Sequence, residues 1–126
     1  MSDSAANKAL MTKAFDGLAK GDPSHFMPLF SDDIEWQVMG SSAWSKHAKG
    51  LEAVERDLVG PLFARFAGPY LTIPELILAD GDRVVVLAKG DAETVDGKRY
   101  DNDYCFIFTL RDGKIVGVRE YMDTIL

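Results

Sequence analysis

"YDNDYCFIFTLRDGKIVGVREYMDT", residues 100–124, consists of two extended segments around one Asp-Gly pair. Tyr104, Phe106 and Phe108 alternate with Cys105, Ile107 and Thr109, the period of two that a strand imposes on its side chains. Past Asp112-Gly113 the alternation resumes. Val116, Val118, Glu120 and Met122 share one parity, and Ile115, Gly117, Arg119 and Tyr121 the other. Asp-Gly tolerates the positive φ that a tight hairpin needs. The same dipeptide recurs upstream: Asp96-Gly97 separates a strand at Tyr100–Leu110 from one at Arg83–Thr94, and Asp80-Gly81 precedes the latter. Leu71–Ala79 reads as one more strand, with Pro74 marking an edge position or a bulge because proline cannot donate to a ladder. Strands joined in this way predict an antiparallel meander closed by Lys114–Ile125.

The N-terminal half has a different period. Leu10, Met11, Ala14, Phe15 and Leu18 predict a helix over Ala5–Lys20, with Ser4 as N-cap and Gly21 as its stop. Asp22-Pro23 predicts a short second helix, since proline suits a first helical turn. Ile34–Met39 alternates as a strand, and residues 40–50 read as an exposed loop. Leu51–Phe66 is helical in period, with a kink or a break into two helices at Gly60-Pro61. Helices gathered on one face of a mostly antiparallel sheet define an α+β domain. We expect a cone-shaped barrel: a strongly curved sheet packed on about three N-terminal helices, with an open end suited to a small ligand.

The chain has 126 residues, the size of a single domain spanning 1–126. Its net charge of −6 and scattered Lys and Arg argue against nucleic acid as a partner, which requires concentrated positive charge. No apolar run approaches the roughly 18 residues that span a bilayer, and MSDSAANK lacks the features of a signal peptide. A cytoplasmic protein without membrane contact is the expectation. The single cysteine, Cys105, excludes an intrachain disulfide and sits in an apolar strand, where packing is its simplest role. Two histidines without a clustered cysteine give no metal site, and no Gly-rich phosphate loop or dinucleotide fingerprint calls for a cofactor.

The ending DGKIVGVREYMDT (Asp112–Thr124), Trp36 on the first strand, Gly50 before a helix, and YDNDYCFIF at 100–108 resemble the SnoaL-like proteins of the nuclear transport factor 2-like superfamily. That superfamily also takes in ketosteroid isomerase and limonene epoxide hydrolase. The resemblance covers about residues 5–125 and implies the cone, a pocket between helices and curved sheet, and a homodimer formed through the sheet. Its members include isomerases, cyclases, hydrolases, dehydratases and proteins without catalysis, so fold is not function here.

Glu120 stands out because it is the one ionisable group in a row with two valines and a methionine. Desolvation there raises a carboxyl's pKa and makes it a usable proton acceptor or donor. The resemblance matches Glu120 to the water-activating Asp of the epoxide hydrolase. An ion pair with a nearby Arg is the plainer alternative. Arg99 and Asp101 fall where that hydrolase has its Arg and acid Asp, and an Arg beside a carboxylate orients it. The Tyr and Asn that complete the hydrolase site have no counterpart beside Trp36, Gln37 and Met39. A solvated strand end serves equally for Arg99 and Asp101.

Asn102 and Tyr104 share a face with Phe106 and Phe108, and that aromatic face is either a pocket wall or plain core. Either Asp101 and Asp103 look into the cavity or Asn102 and Tyr104 do. The aromatics that need burial favour the second. In ketosteroid isomerase the first helix supplies an oxyanion Tyr, whereas this helix has Phe15 and no Tyr, and position 36 is Trp. His47 and Trp44, in the predicted loop, would roof the cavity, with His47 as a base near neutral pH. The expected site is therefore Glu120, Asp101 and His47 for catalysis, with Trp36, Trp44, Arg99, Asn102, Tyr104, Phe106 and Phe15 for ligand binding. The expected function is cofactor-independent proton transfer (isomerase, cyclase, dehydratase or hydrolase) on a small hydrophobic organic ligand. The alternatives are a non-catalytic ligand-binding protein and a dimeric structural module.

Overall fold

A two-residue turn closes the last hairpin, and its backbone shows why Asp-Gly is there. Asp112 has φ 52° and Gly113 φ 77°, the pair of left-handed residues that matches the natural twist of two strands. The computed structural model describes residues 3–39, 46–60, 70–93, 95–98 and 102–122. In chain order these form α1 (Ser4–Leu18), a 3₁₀ turn (Met27–Leu29), β1 (Phe30–Val38), β2 (Lys46–Lys49) and α2 (Leu51–Val54) with a π turn (Glu55–Val59). The strands β3 (Leu71–Asp80), β4 (Arg83–Asp91), β5 (Asp103–Arg111) and β6 (Lys114–Met122) follow. One six-stranded sheet runs β2-β1-β6-β5-β4-β3, so the predicted meander forms its larger part. All its pairings are antiparallel except β1 with β6. The sheet stays open, and the fold is the expected α+β class.

Pro74 satisfies both of its expected readings. β3 is an edge strand, and its register shifts between Pro74 and Leu76. A second bulge corrects the parity expected for β6. Thr109 pairs with Gly117 and Leu110 with Ile115, which leaves Val116 as an extra residue. Ile115 therefore enters the core at 0% exposure, and Val116 does not join the row of Val118 and Glu120 as alternation had predicted.

Residues 46–49 were expected to be loop but pair with β1 as β2. The sequence Lys-His-Ala-Lys hides this, because short, charged strands are how sheets blunt their edges. The helix expected after Asp22-Pro23 is only the 3₁₀ turn. The N-cap of α1 is Asp3 rather than Ser4, its carboxylate accepting from the Ala6 N–H at 3.1 Å. Ser4 instead accepts from the Gly81 N–H at 2.7 Å, while the Asn7 amide donates to the Gly81 carbonyl at 3.0 Å. These two bonds fasten α1 to the β3–β4 turn. The predicted helix at Leu51–Phe66 is described only to Gly60, and the expected kink reaches residues 61–69, outside the described residues.

The core lies between α1 and the concave face of the sheet. Phe15 of α1 meets Phe26 and Phe108 edge-on, with ring centroids 5.9 and 5.8 Å apart. Met11, Ile34, Val84, Val86 and Ile115 are fully buried around them. Burying each such side chain stabilises the fold by about 1.5–3 kcal/mol before entropy is counted.

Candidate functional site

Alternation on β5 sends Tyr104, Phe106 and Phe108 inward, and their rings form a near-parallel ladder. Centroids are 5.3 Å apart at 19° for Tyr104–Phe106 and 5.6 Å at 24° for Phe106–Phe108. This ladder is one wall of a cavity of about 330 Å³. Phe15 and Leu18 of α1, Phe26, Phe30 and Trp36 supply the facing walls. A space of that size, mostly apolar with few polar groups, is what small organic ligands occupy.

The parallel β1–β6 pairing brings an indole and a carboxyl together. Trp36 lies beside Val118 and Val38 beside Glu120, so the two inward side chains at positions 36 and 120 converge although 84 residues separate them. Glu120 is the only carboxyl among the described cavity residues. It is 8% exposed, and the Trp36 Nε1–H donates to its Oε1 at 3.0 Å. Desolvation pushes its pKa up to about 7, and the indole hydrogen bond opposes that rise in part. An Arg partner, the plainer alternative, is not what the structure shows: Trp36 is the carboxyl's hydrogen-bond partner among the described residues.

A second polar group lies on the same cavity. The Tyr70 hydroxyl donates to the Tyr104 hydroxyl at 2.6 Å, and Thr72 of β3 adds another hydroxyl-bearing side chain to the lining. Asn102 faces inward with Tyr104 but is not part of the lining. It is 3% exposed, its carbonyl accepts from the Gly90 N–H at 2.8 Å, and its Oδ1 has no partner among the described residues. Asp103 points outward, toward Lys89 at 3.3 Å. The inward parity of β5 is thus that of Asn102 and Tyr104.

Of the residues expected to form a site, Glu120, Trp36, Tyr104, Phe106 and Phe15 meet around one cavity. His47 lies elsewhere: on β2, its ring contacts the Glu35 carboxylate, both side chains are about half exposed, and neither lines the cavity. Asp101, Arg99 and Trp44 lie outside the described residues. Tyr70, Thr72, Phe26 and Phe30 line the cavity without having been singled out from the sequence. Thr72 alone carried a signal, a hydroxyl two residues before a proline in a mostly apolar strand. Among the described residues no cluster of three or more His, Cys, Asp or Glu side chains could hold a metal ion. No helix there is long and apolar enough to cross a membrane.

Comparison with known proteins agrees with this geometry. The profile of the SnoaL-like domain matches residues 11–118. A protein from a soil-derived mobile gene cassette is similar in fold, with 24% identity, a TM-score of 0.79, and coverage of 96% of this chain and 92% of that one. A SnoaL-like polyketide cyclase from Jannaschia is 18% identical, with a TM-score of 0.77 over 95% and 87% of the two chains. TerC, co-crystallised with polyporic acid, is 22% identical, with a TM-score of 0.74 over 94% and 92%. No curated protein matches the chain significantly.

Proposed function

The chain belongs to the SnoaL-like domain family, and we propose that it is a cofactor-independent acid–base enzyme for a small hydrophobic organic molecule, with Glu120 as the proton-transferring group. One observation carries this reading: a single carboxyl on the wall of an aromatic cavity, held by one indole donor, with its pKa pushed up to about 7. A general base is most effective when its pKa lies near the working pH. At neutral pH the carboxylate takes a proton from a carbon beside a substrate carbonyl. The resulting acid returns it to another atom of the same molecule, so no external oxidant or reductant is needed. Trp36 holds Oε1 and thereby orients the carboxyl, which leaves Oε2 as the oxygen that exchanges the proton. Phe15, Phe106 and Tyr104 exclude water from the reacting atoms. Polyporic acid, with which TerC, a protein of similar fold, is co-crystallised, supports a small organic molecule as the occupant.

The outer face of the sheet supports a homodimer. Leu76, Leu78 and Leu87 are large apolar side chains at 45%, 53% and 38% exposure. A second copy seated there would cover them.

The test of catalysis uses 2-tetralone, a two-ring ketone with acidic hydrogens beside its carbonyl. Nuclear magnetic resonance in deuterated water follows their exchange. The wild type is expected to accelerate exchange, and Glu120→Gln to lose a factor of about 10²–10⁴. Equal rates in wild type and variant, or no acceleration over buffer, would sink the acid–base reading. Binding of the ketone without exchange would instead favour a non-catalytic carrier.

A further inference from the structure

The charge balance of the cavity goes unused when Glu120 only exchanges protons with a neutral ketone. Among the described residues the wall carries one carboxyl and no Lys, Arg or His, and Tyr70 and Tyr104 are its other titratable side chains. Glu35 and Arg119, next in sequence to Trp36 and Glu120, are not part of the lining. An ionised Glu120 therefore has no cationic partner among the described residues, and its desolvation goes uncompensated except by one indole hydrogen bond. A cation brought by a ligand supplies the missing partner, and an anion meets only repulsion. The walls favour the same sign. Half of the described lining residues are aromatic, and aromatic faces attract cations within about 6 Å of the ring centre. Two of these residues flank the carboxyl. Trp36 donates its Nε1–H to Oε1 at 3.0 Å, and Phe106 is the direct cross-strand partner of Glu120, at a spacing of about 4.5–5.5 Å between Cβ atoms. A cation paired with Oε2 sits beside both.

Hydration decides which kind of cation fits. A primary ammonium is strongly hydrated and brings three N–H donors, each of which needs an acceptor once water is gone. Beside Glu120 the described wall offers the two carboxyl oxygens, one of them already held by Trp36. A quaternary ammonium has no N–H to satisfy, and its methyl surface suits an apolar wall, so it loses least on leaving water. We propose that the cavity takes an organic cation, a quaternary ammonium group on a small apolar body, whose charge pairs with the Glu120 carboxylate beside Trp36 and Phe106. The inference rests on the cavity being a ligand site, as argued above, and not on proton transfer to carbon. Such a cation binds the ionised carboxyl, so below the pKa of Glu120 its entry releases one proton to solvent.

The test compares three probes of similar shape and different charge: phenyltrimethylammonium, tert-butylbenzene and benzenesulfonate. Affinities are measured by nuclear magnetic resonance titration on the wild type and Glu120→Gln. At pH 8 the wild type is expected to bind the cation at least about tenfold more tightly than tert-butylbenzene and to reject the sulfonate. Glu120→Gln keeps an oxygen for the Trp36 N–H but carries no charge, so it should lose the preference for the cation and still bind tert-butylbenzene. The pH dependence is a second readout. With a pKa of about 7, the ionised fraction of Glu120 falls about tenfold from pH 8 to pH 6, and affinity for the cation should fall with it. Phenyltrimethylammonium is permanently charged, so that change belongs to the protein. Should Glu120→Gln fail to fold, the pH series on the wild type makes the same measurement. Equal wild-type affinity for the cation and tert-butylbenzene, a cation preference that survives in Glu120→Gln, tighter binding of the sulfonate, or no binding of any probe overturns the proposal. Exchange of 2-tetralone is read separately. A cation preference without exchange would leave this inference standing and sink the acid–base reading, and exchange without a cation preference would do the reverse.

Discussion

The two faces of one sheet carry carboxylates of opposite character. Glu35 on β1 faces outward, about half exposed and in contact with His47, so water and an exposed partner stabilise its charge. Glu120 on β6 faces inward among phenylalanines, with one indole hydrogen bond and a pKa near 7. The outer face also carries Lys89 with Asp103 at 3.3 Å, both side chains more than half exposed, a pair of little energetic worth. Among the described residues charge is therefore plentiful where water can screen it and scarce along the cavity. Among the described residues the cavity wall carries one desolvated carboxyl, not a concentration of acids.

The comparison breaks first at neighbouring positions on β5. Phe108 is wholly buried, while Ile107 next to it lies on the outer face. Phe108→Ala should cost about 3–5 kcal/mol in urea unfolding, and Ile107→Ala roughly 1 kcal/mol. Similar losses at both positions would mean that the outer face is as well packed as the inner.

The next largest effect is the pH dependence that Glu120 contributes. Its pKa is about 7 in the folded protein against 4.5 for an ordinary glutamate. Between these values the native state binds more protons than the unfolded chain, so stability falls as pH rises through that window. The loss is on the order of 3 kcal/mol when complete, about one pH unit above the folded pKa. Glu120→Gln keeps an oxygen for the Trp36 N–H and cannot ionise, so it should lack this loss. Unfolding measured at pH 5 and pH 8 checks the difference. An identical pH dependence in the two proteins would place Glu120 in contact with water.

The smallest effect on the monomer sharpens the view of the outer face. Leu78→Asp should change the stability of the isolated chain by only about 0.5 kcal/mol, because Leu78 is already 53% exposed. Its effect should appear in assembly. Sedimentation velocity should show a wild-type dimer at micromolar concentration and a monomeric variant. A wild type that sediments as a monomer would remove the proposed dimer.

Elements held by local chemistry were legible in the sequence. Asp112-Gly113 closed the last hairpin and Gly81 the turn from β3 to β4, Pro74 marked an edge and a bulge, and alternation placed Tyr104 with Phe106 and Phe108. Glu120 was visible as a lone carboxyl in an apolar row. Residues 46–49 were read as loop because a four-residue strand of Lys, His, Ala and Lys has no apolar period to detect. Its identity comes from its partner β1. The Val116 bulge escaped for a related reason: an extra residue in one strand is defined by pairing with another. With it went the expected row from Val116 to Met122, of which Val118 and Glu120 remain buried.

By itself the sequence determined the α+β class, the order of the meander, and the one ionisable group on the inner parity of the last strand. Those follow from turn stereochemistry and side-chain alternation, which act over a few residues. Only the tertiary structure decided that Trp36 is the donor to Glu120, that His47 lies away from the cavity, and that Tyr70 and Tyr104 join hydroxyls across Gly90. Each depends on the pairing of distant strands, above all β1 with β6. That pairing is set by the burial of the whole inner face and is written in no short stretch of the chain.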